Sequence, residues 1–118
     1  MYCRIHPEYG VDFVAGCLEA DDTRFREECI AIVDCAKTNG CGYGERGGEQ
    51  CFCGTVELSA CQAAGAANGP CQDEWWAGAR TDSLADLFGN LGVVALPSGA
   101  ANFLLECERD YCPTQCTP

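Results

Sequence analysis

The stretch DDTRFREECIAIVDCAKTNG, residues 21–40, decides the fold class. Asp21 and Asp22 supply a helix N-cap, and Glu27 and Glu28 lie in the early turns, where the helix dipole favours carboxylates. Lys37 stands in the last turn, and Asn39-Gly40 ends the helix because glycine adopts the left-handed conformation at little cost. In between, Phe25, Cys29, Ile32, Val33 and Ala36 fall at i, i+4, i+7, i+8 and i+11, one apolar stripe on a helix over 23–38. Two members of this helix are cysteines. Cys29 and Cys35 project from different faces, so the spacing predicts bridges from one helix to two separate segments.

Ten further cysteines surround it: Cys3, Cys17, Cys41, Cys51, Cys53, Cys61, Cys71, Cys107, Cys112 and Cys116. Twelve in 118 residues is the composition of a disulfide scaffold, and the even count permits about six bridges. Metal is the competing reading, and spacing argues against it. Zinc knuckles, zinc ribbons, redox dithiols and attached haem all use cysteines separated by two residues. The closest pairs here are Cys51 and Cys53, Cys107 and Cys112, and Cys112 and Cys116, none with that spacing. His6, the single histidine, reads as a surface residue. A catalytic thiol is not expected either, since Glu27-Glu28, Glu49, Glu106 and Glu108 flank cysteines and anionic neighbours disfavour a thiolate. Cys51 and Cys53 should take different partners, because a ring closed over one residue is strained. Each bridge in a small domain contributes roughly 2–5 kcal/mol, against a whole-domain stability of roughly 5–15 kcal/mol.

Charge narrows the function classes. Eighteen Asp and Glu against seven Lys and Arg give a net charge of −11. That argues against nucleic acid and anionic membrane surfaces, which need a basic footprint. No apolar run approaches the ~18 residues of a membrane span, the longest being Val93 to Pro97, so no membrane insertion is expected. Disulfides persist in oxidising compartments, so the expected location is extracellular, on a cell surface or periplasmic. Met1-Tyr2-Cys3 has no basic or apolar leader, so either Met1 is an added start or the chain is a processed piece of a longer secreted precursor.

The remaining elements are short. Val11, Val14 and Leu18 recur at helical spacing, weakened by Gly10 and Gly16. Residues 40–50, with five glycines, form a loop. Cys51-Phe-Cys-Gly-Thr55 reads as a tight extended corner. Thr55 caps a short helix through about Ala64, with Leu58 and Cys61 inward and Gly65 ending it. Asn68-Gly69-Pro70 is a turn in which glycine supplies a positive φ. A helix over 73–79 carries Trp75 and Trp76. Ser83-Leu-Ala-Asp86 resembles a capping box, followed by the stripe Leu84, Leu87, Phe88, Leu91. After Gly92 and the link to Pro97, a last helix over 98–111, capped by Ser98, presents Ala100, Phe103, Leu104, Cys107 and Tyr111. Cys112 and Cys116 staple the tail. The expected architecture is one domain over 1–118: small, mostly α, with four to five short helices stapled by about six disulfides.

Candidate sites are few. Glu106, Glu108 and Asp110 cannot converge from one helix and read as a solvated face beside Arg109. Asp73-Glu74, like Asp21-Asp22, reads as helix-start chemistry rather than a catalytic pair. Ser59, Ser83 and Ser98 lack the strand-to-helix elbow of a hydrolase nucleophile. The glycine loop, with Arg46 its lone cation, lacks the pattern of a phosphate cradle, and Asn39, Asn68, Asn90 and Asn102 lack the glycosylation pattern. Trp75 and Trp76 project about 100° apart on a helix, so one is expected in the core and the other at its edge. The exposed ring is the candidate for a protein interface, or more weakly a sugar-stacking platform. No catalytic, metal or cofactor-binding residue is assigned.

At Cys51-Phe-Cys-Gly-Thr55, Asn68-Gly-Pro-Cys71 and Gly99-Ala-Ala-Asn-Phe-Leu-Leu-Glu-Cys107, with the spacing on to Cys112 and Cys116, the chain resembles uncharacterised secreted, cysteine-rich bacterial proteins. The likeness covers residues 29–116 and implies a surface or extracellular location without a known activity. It also resembles fungal CFEM-type domains, helical disulfide modules with a Cys-x-Cys centre, some of which bind haem through an aspartate just before that centre. Here Gly47-Gly48-Glu49-Gln50 stands in that place, a departure from the pattern. The expectation is a non-enzymatic structural or interaction module, with a protein partner or self-assembly. The alternative is a carrier of haem, metal or a small apolar ligand.

Overall fold

The computed structural model describes residues 10–42, 47–64 and 67–111, without the side chains of Ala64 and Tyr111. Cys3, His6, Arg46, Gly65, Cys112 and Cys116 lie outside these residues, as does the stapled tail. Among the described residues six α-helices follow in order: α1 (Thr23–Asn39), α2 (Glu49–Cys53), α3 (Leu58–Ala64), α4 (Gln72–Ala79), α5 (Leu84–Gly89) and α6 (Pro97–Tyr111). A 3-10 turn, Asn90–Gly92, extends α5. The fold is mostly α and disulfide-rich, and the described residues hold one helix more than the upper end of the expected four to five.

α1 forms where its caps and stripe require. Asp22 Oδ1 accepts the Phe25 N–H at 2.7 Å, and Gly40, at φ 65°, donates to the carbonyls of Ala36 and Lys37. Cys29, Ile32, Val33 and Ala36 are buried, and Phe25 is half-buried beneath the Arg80 guanidinium. That face packs against α6 and α4. The three helices meet at Gly78, where a Cβ would stand 2.5 Å from Ile32 Cδ1 and 3.1 Å from the Ser98 nitrogen. Ser83 caps α5 through the Asp86 N–H, and Leu87 and Leu91 are buried.

α6 starts one residue early, at Pro97, whose missing N–H is harmless in a first turn. Its buried face is wider than the predicted stripe, adding Ala101 and Leu105 to Ala100, Leu104 and Cys107. The helix is covered from two sides, by α1 and by α4 with the 3-10 turn. Ser98 does not cap it. It lies inside the first turn, buried, and its hydroxyl donates to the Asn90 carbonyl at 3.4 Å.

Three other expectations need correction. Residues 13–19 form successive turns rather than a helix. Asp12 takes the Ala15 N–H on its side chain and the Gly16 N–H on its carbonyl, the local competition by which aspartate displaces helix. The Cys51–Cys53 corner is helical, not extended. Cys51, Phe52 and Cys53, three consecutive residues of α2, are all buried, so this stretch carries no amphipathic signal. Thr55 does not cap α3. Glu57 accepts the Cys61 N–H at the start of that helix, while Thr55 is clasped by Asn68, which accepts its N–H at 2.9 Å and donates to its hydroxyl at 2.8 Å.

The Asn68–Cys71 segment runs along the end of α2. The N–H groups of Asn68, Gly69 and Cys71 donate to the carbonyls of Cys53, Phe52 and Cys51. Gly69 is required there by close approach, since a Cβ would collide with the Cys51 and Phe52 carbonyls. Positive φ, the reason expected, is found at Gly54 instead, which ends α2 at φ 66°.

Candidate functional site

Four bridges join the described residues: Cys17–Cys29, Cys35–Cys71, Cys41–Cys51 and Cys53–Cys61, with Cα separations of 5.5, 6.0, 5.2 and 5.8 Å. Cys29 and Cys35 reach separate segments, and Cys51 and Cys53 take different partners, as their spacings require. Cys107 is buried on α6.

Two of the bridges touch. The Sγ atoms of Cys41 and Cys71 are 3.9 Å apart. The sulfurs of Cys41, Cys51 and Cys71 all lie within 4.8 Å of one another. α1 supplies Cys35, the segment after its cap Cys41, α2 Cys51, and the start of α4 Cys71. Cys41, Cys51 and Cys71 are buried and Cys35 is half-buried. No sequence spacing announces this hub, because its members come from four segments brought together only by packing.

The tryptophans divide as the helical geometry demands. Trp75 is fully buried, and its indole N–H has no hydrogen-bond partner among the described residues. Trp76 is half-buried, edge-on to Phe52 with ring centroids 5.7 Å apart. Any contact at this place therefore rests on Trp76 alone. The choice was legible: Trp75 shares its face with Cys71, Gly78 and Ala79, whereas Trp76 lies in register with Gln72 and Arg80.

The acid-rich end of α6 differs from the solvated face expected. Glu108 is buried, 8% exposed, and its carboxylate meets Lys37 Nζ at 3.0 Å, tying the end of α1 to the end of α6. Arg109 pairs with Asp110 at 2.6 Å. Replacing Lys37 with alanine removes the cation from beside a buried carboxylate. A loss of about 1–2 kcal/mol is expected, moderated because Lys37 is partly solvated. Denaturant unfolding of Lys37→Ala, Glu108→Leu and the double variant checks it: the double variant should lose less than the two singles added together.

Asn102 and Asn90 are structural residues that the sequence reading passed over. Asn102 accepts the Gly48 N–H and donates to the Leu91 carbonyl, and Asn90 donates to the Ala79 carbonyl. Each sits mid-chain in an apolar pattern, and a half-buried amide there is itself a signal for backbone pairing. Ser59 is exposed on α3.

Several grooves mark the surface of the described residues, and two of them bear on function. One, of about 320 Å³ between α1 and α4, is lined by Glu27, Glu28, Asp73 and Glu74, with Arg80 closing on Glu28 at 2.8 Å. The other, of about 360 Å³, is apolar and lined by Val11, Phe13, Gly92, Val94 and Phe103. Phe13 and Phe103 stack there at 5.4 Å, and Val11, Val93 and Val94 are the large apolar side chains left most exposed among the described residues. No single helix among the described residues is long and apolar enough to cross a membrane.

No protein-family model, no curated protein and no solved structure matches this chain.

Proposed function

We propose that the chain is a structural or interaction module of an extracellular, cell-surface or periplasmic assembly, non-catalytic and built to hold its shape outside the cell. The intramolecular bridges carry this reading. They are the mark of folding in an oxidising environment, and each adds roughly 2–5 kcal/mol to a core of modest size. In this role the contact surface is the apolar skin around Val11, Val93 and Val94, with the edge of Trp76 as a second point. A net charge of −11 opposes pairing of two copies, so self-association should strengthen as salt screens the repulsion.

Sedimentation of the oxidised protein over a range of concentration and salt tests the self-assembling form. The expected result is association that grows with salt and is abolished by Val94→Asp, a half-exposed position whose change leaves the unfolding midpoint in place. A chain that stays monomeric throughout sinks self-assembly and leaves binding to a different protein as the remaining form of this reading.

A further inference from the structure

We propose that Cys35, Cys41, Cys51 and Cys71 form a zinc site whenever the two bridges that join them are reduced. In a tetrahedral tetrathiolate centre the Zn–S bonds are about 2.3 Å, which puts the sulfurs about 3.8 Å apart. The Cys41 and Cys71 sulfurs already stand 3.9 Å apart, and Cys51 lies within 4.8 Å of both. Cys35 is bonded to Cys71, so its sulfur adjoins the same group. The bridged Cα pairs are 5.2 and 6.0 Å apart; Cys35 does not share the 4.8 Å group of Cys41 and Cys51, so its side chain must rotate toward them once its bond to Cys71 is cut.

The surroundings suit a closed structural centre. Cys41, Cys51 and Cys71 are 6%, 0% and 0% exposed, while Cys35 is half-buried, the most accessible of the four. A Glu74 carboxylate oxygen lies within 4.8 Å of the Cys35 and Cys71 sulfurs, an anionic group that favours a cation beside them. The metal would tie together the same four segments as the two bridges, so it replaces them as a cross-link. Spacing rules miss the site because they describe ligands paired within one loop.

The chemistry balances with a water-soluble phosphine as reductant. Each bridge accepts two electrons and two protons and becomes two thiols, the phosphine becomes its oxide, and water supplies the oxygen and protons. Zn²⁺ then displaces the four thiol protons. Added oxidised glutathione takes two electrons per bridge and leaves as two reduced glutathione thiols, so the four thiolates close again to the two bridges and the ion is released.

The test uses the full chain, reduced with the phosphine, freed of excess reagent without air, and given one equivalent of Zn²⁺. Native mass spectrometry should show one zinc per chain. Alkylation should spare Cys35, Cys41, Cys51 and Cys71 while modifying Cys17, Cys29, Cys53 and Cys61, and zinc should restore helical circular dichroism lost on reduction. The variant C17S/C29S/C53S/C61S should keep the metal, and C41S/C71S should bind it at least tenfold more weakly. No retained zinc, protection at other cysteines, or equal retention by C41S/C71S would each overturn the proposal.

Discussion

Gly99→Ala is expected to destabilise the oxidised protein by about 3 kcal/mol or more. Gly99 lies in the first turn of α6, and a Cβ there would run into the carbonyl group of Val93, with the Val93 nitrogen at 2.9 Å. Backbone cannot swing aside as a long side chain can. The methyl group would force the 93–96 link away from the helix that carries Ala100, Ala101 and Leu104 into the core. Gly89→Ala is the control. Nothing lies within 4 Å of its Cβ, and its φ is −61° at the end of α5. There alanine should stabilise by about 0.5–1 kcal/mol, through helix propensity and a less disordered unfolded state. Denaturant unfolding of both variants checks the pair. A Gly99→Ala protein as stable as its parent would show that α6 does not lie against Val93.

Removal of the Trp75 ring should be as severe. Trp75 is the largest fully buried side chain among the described residues, and Trp75→Ala is expected to cost about 3–5 kcal/mol, the transfer of the ring plus the cavity it leaves. Its neighbourhood cannot collapse inward easily, because Gly48 already lies so close that a Cβ there would be 2.7 Å from the indole. Trp75→Phe should cost less than this, since it also removes a buried N–H with no partner among the described residues. Trp76→Ala, which loses a half-buried ring set edge-on to Phe52, should cost only about 1–2 kcal/mol. Chemical denaturation of the three variants reads the order directly. Equal losses at 75 and 76 would mean that α4 is rotated from the orientation described.

Legibility followed the range of the interactions involved. α1 and α5 were readable because a cap, a stripe and a stop signal act within a turn or two of one another. α2 was not, since Cys51, Phe52 and Cys53 are buried together and leave no periodic pattern. Glu108 was misread for a related reason. Its neighbours in sequence are acidic and solvated, and only the approach of α1 brings Lys37 to it. Gly69 and Gly99 look like any turn or helix-start glycines, yet what excludes a side chain at each is a carbonyl from another segment.

By itself the sequence determined that this is a small helical scaffold held by disulfides, that Cys29 and Cys35 must reach apart, and that Cys51 and Cys53 cannot share a partner. These follow from cysteine number, helical period and ring strain, all local properties of the chain. Which cysteines join was decided by tertiary structure alone. The bridges span 8, 10, 12 and 36 residues, and a flexible chain closes loops of these lengths at costs differing by only about 1–1.5 kcal/mol. That difference is too small to select a pairing. The packing of α1 against α4 and α6 selects it, by holding the right sulfurs within bonding reach, and the same packing gathers Cys35, Cys41, Cys51 and Cys71 into one hub.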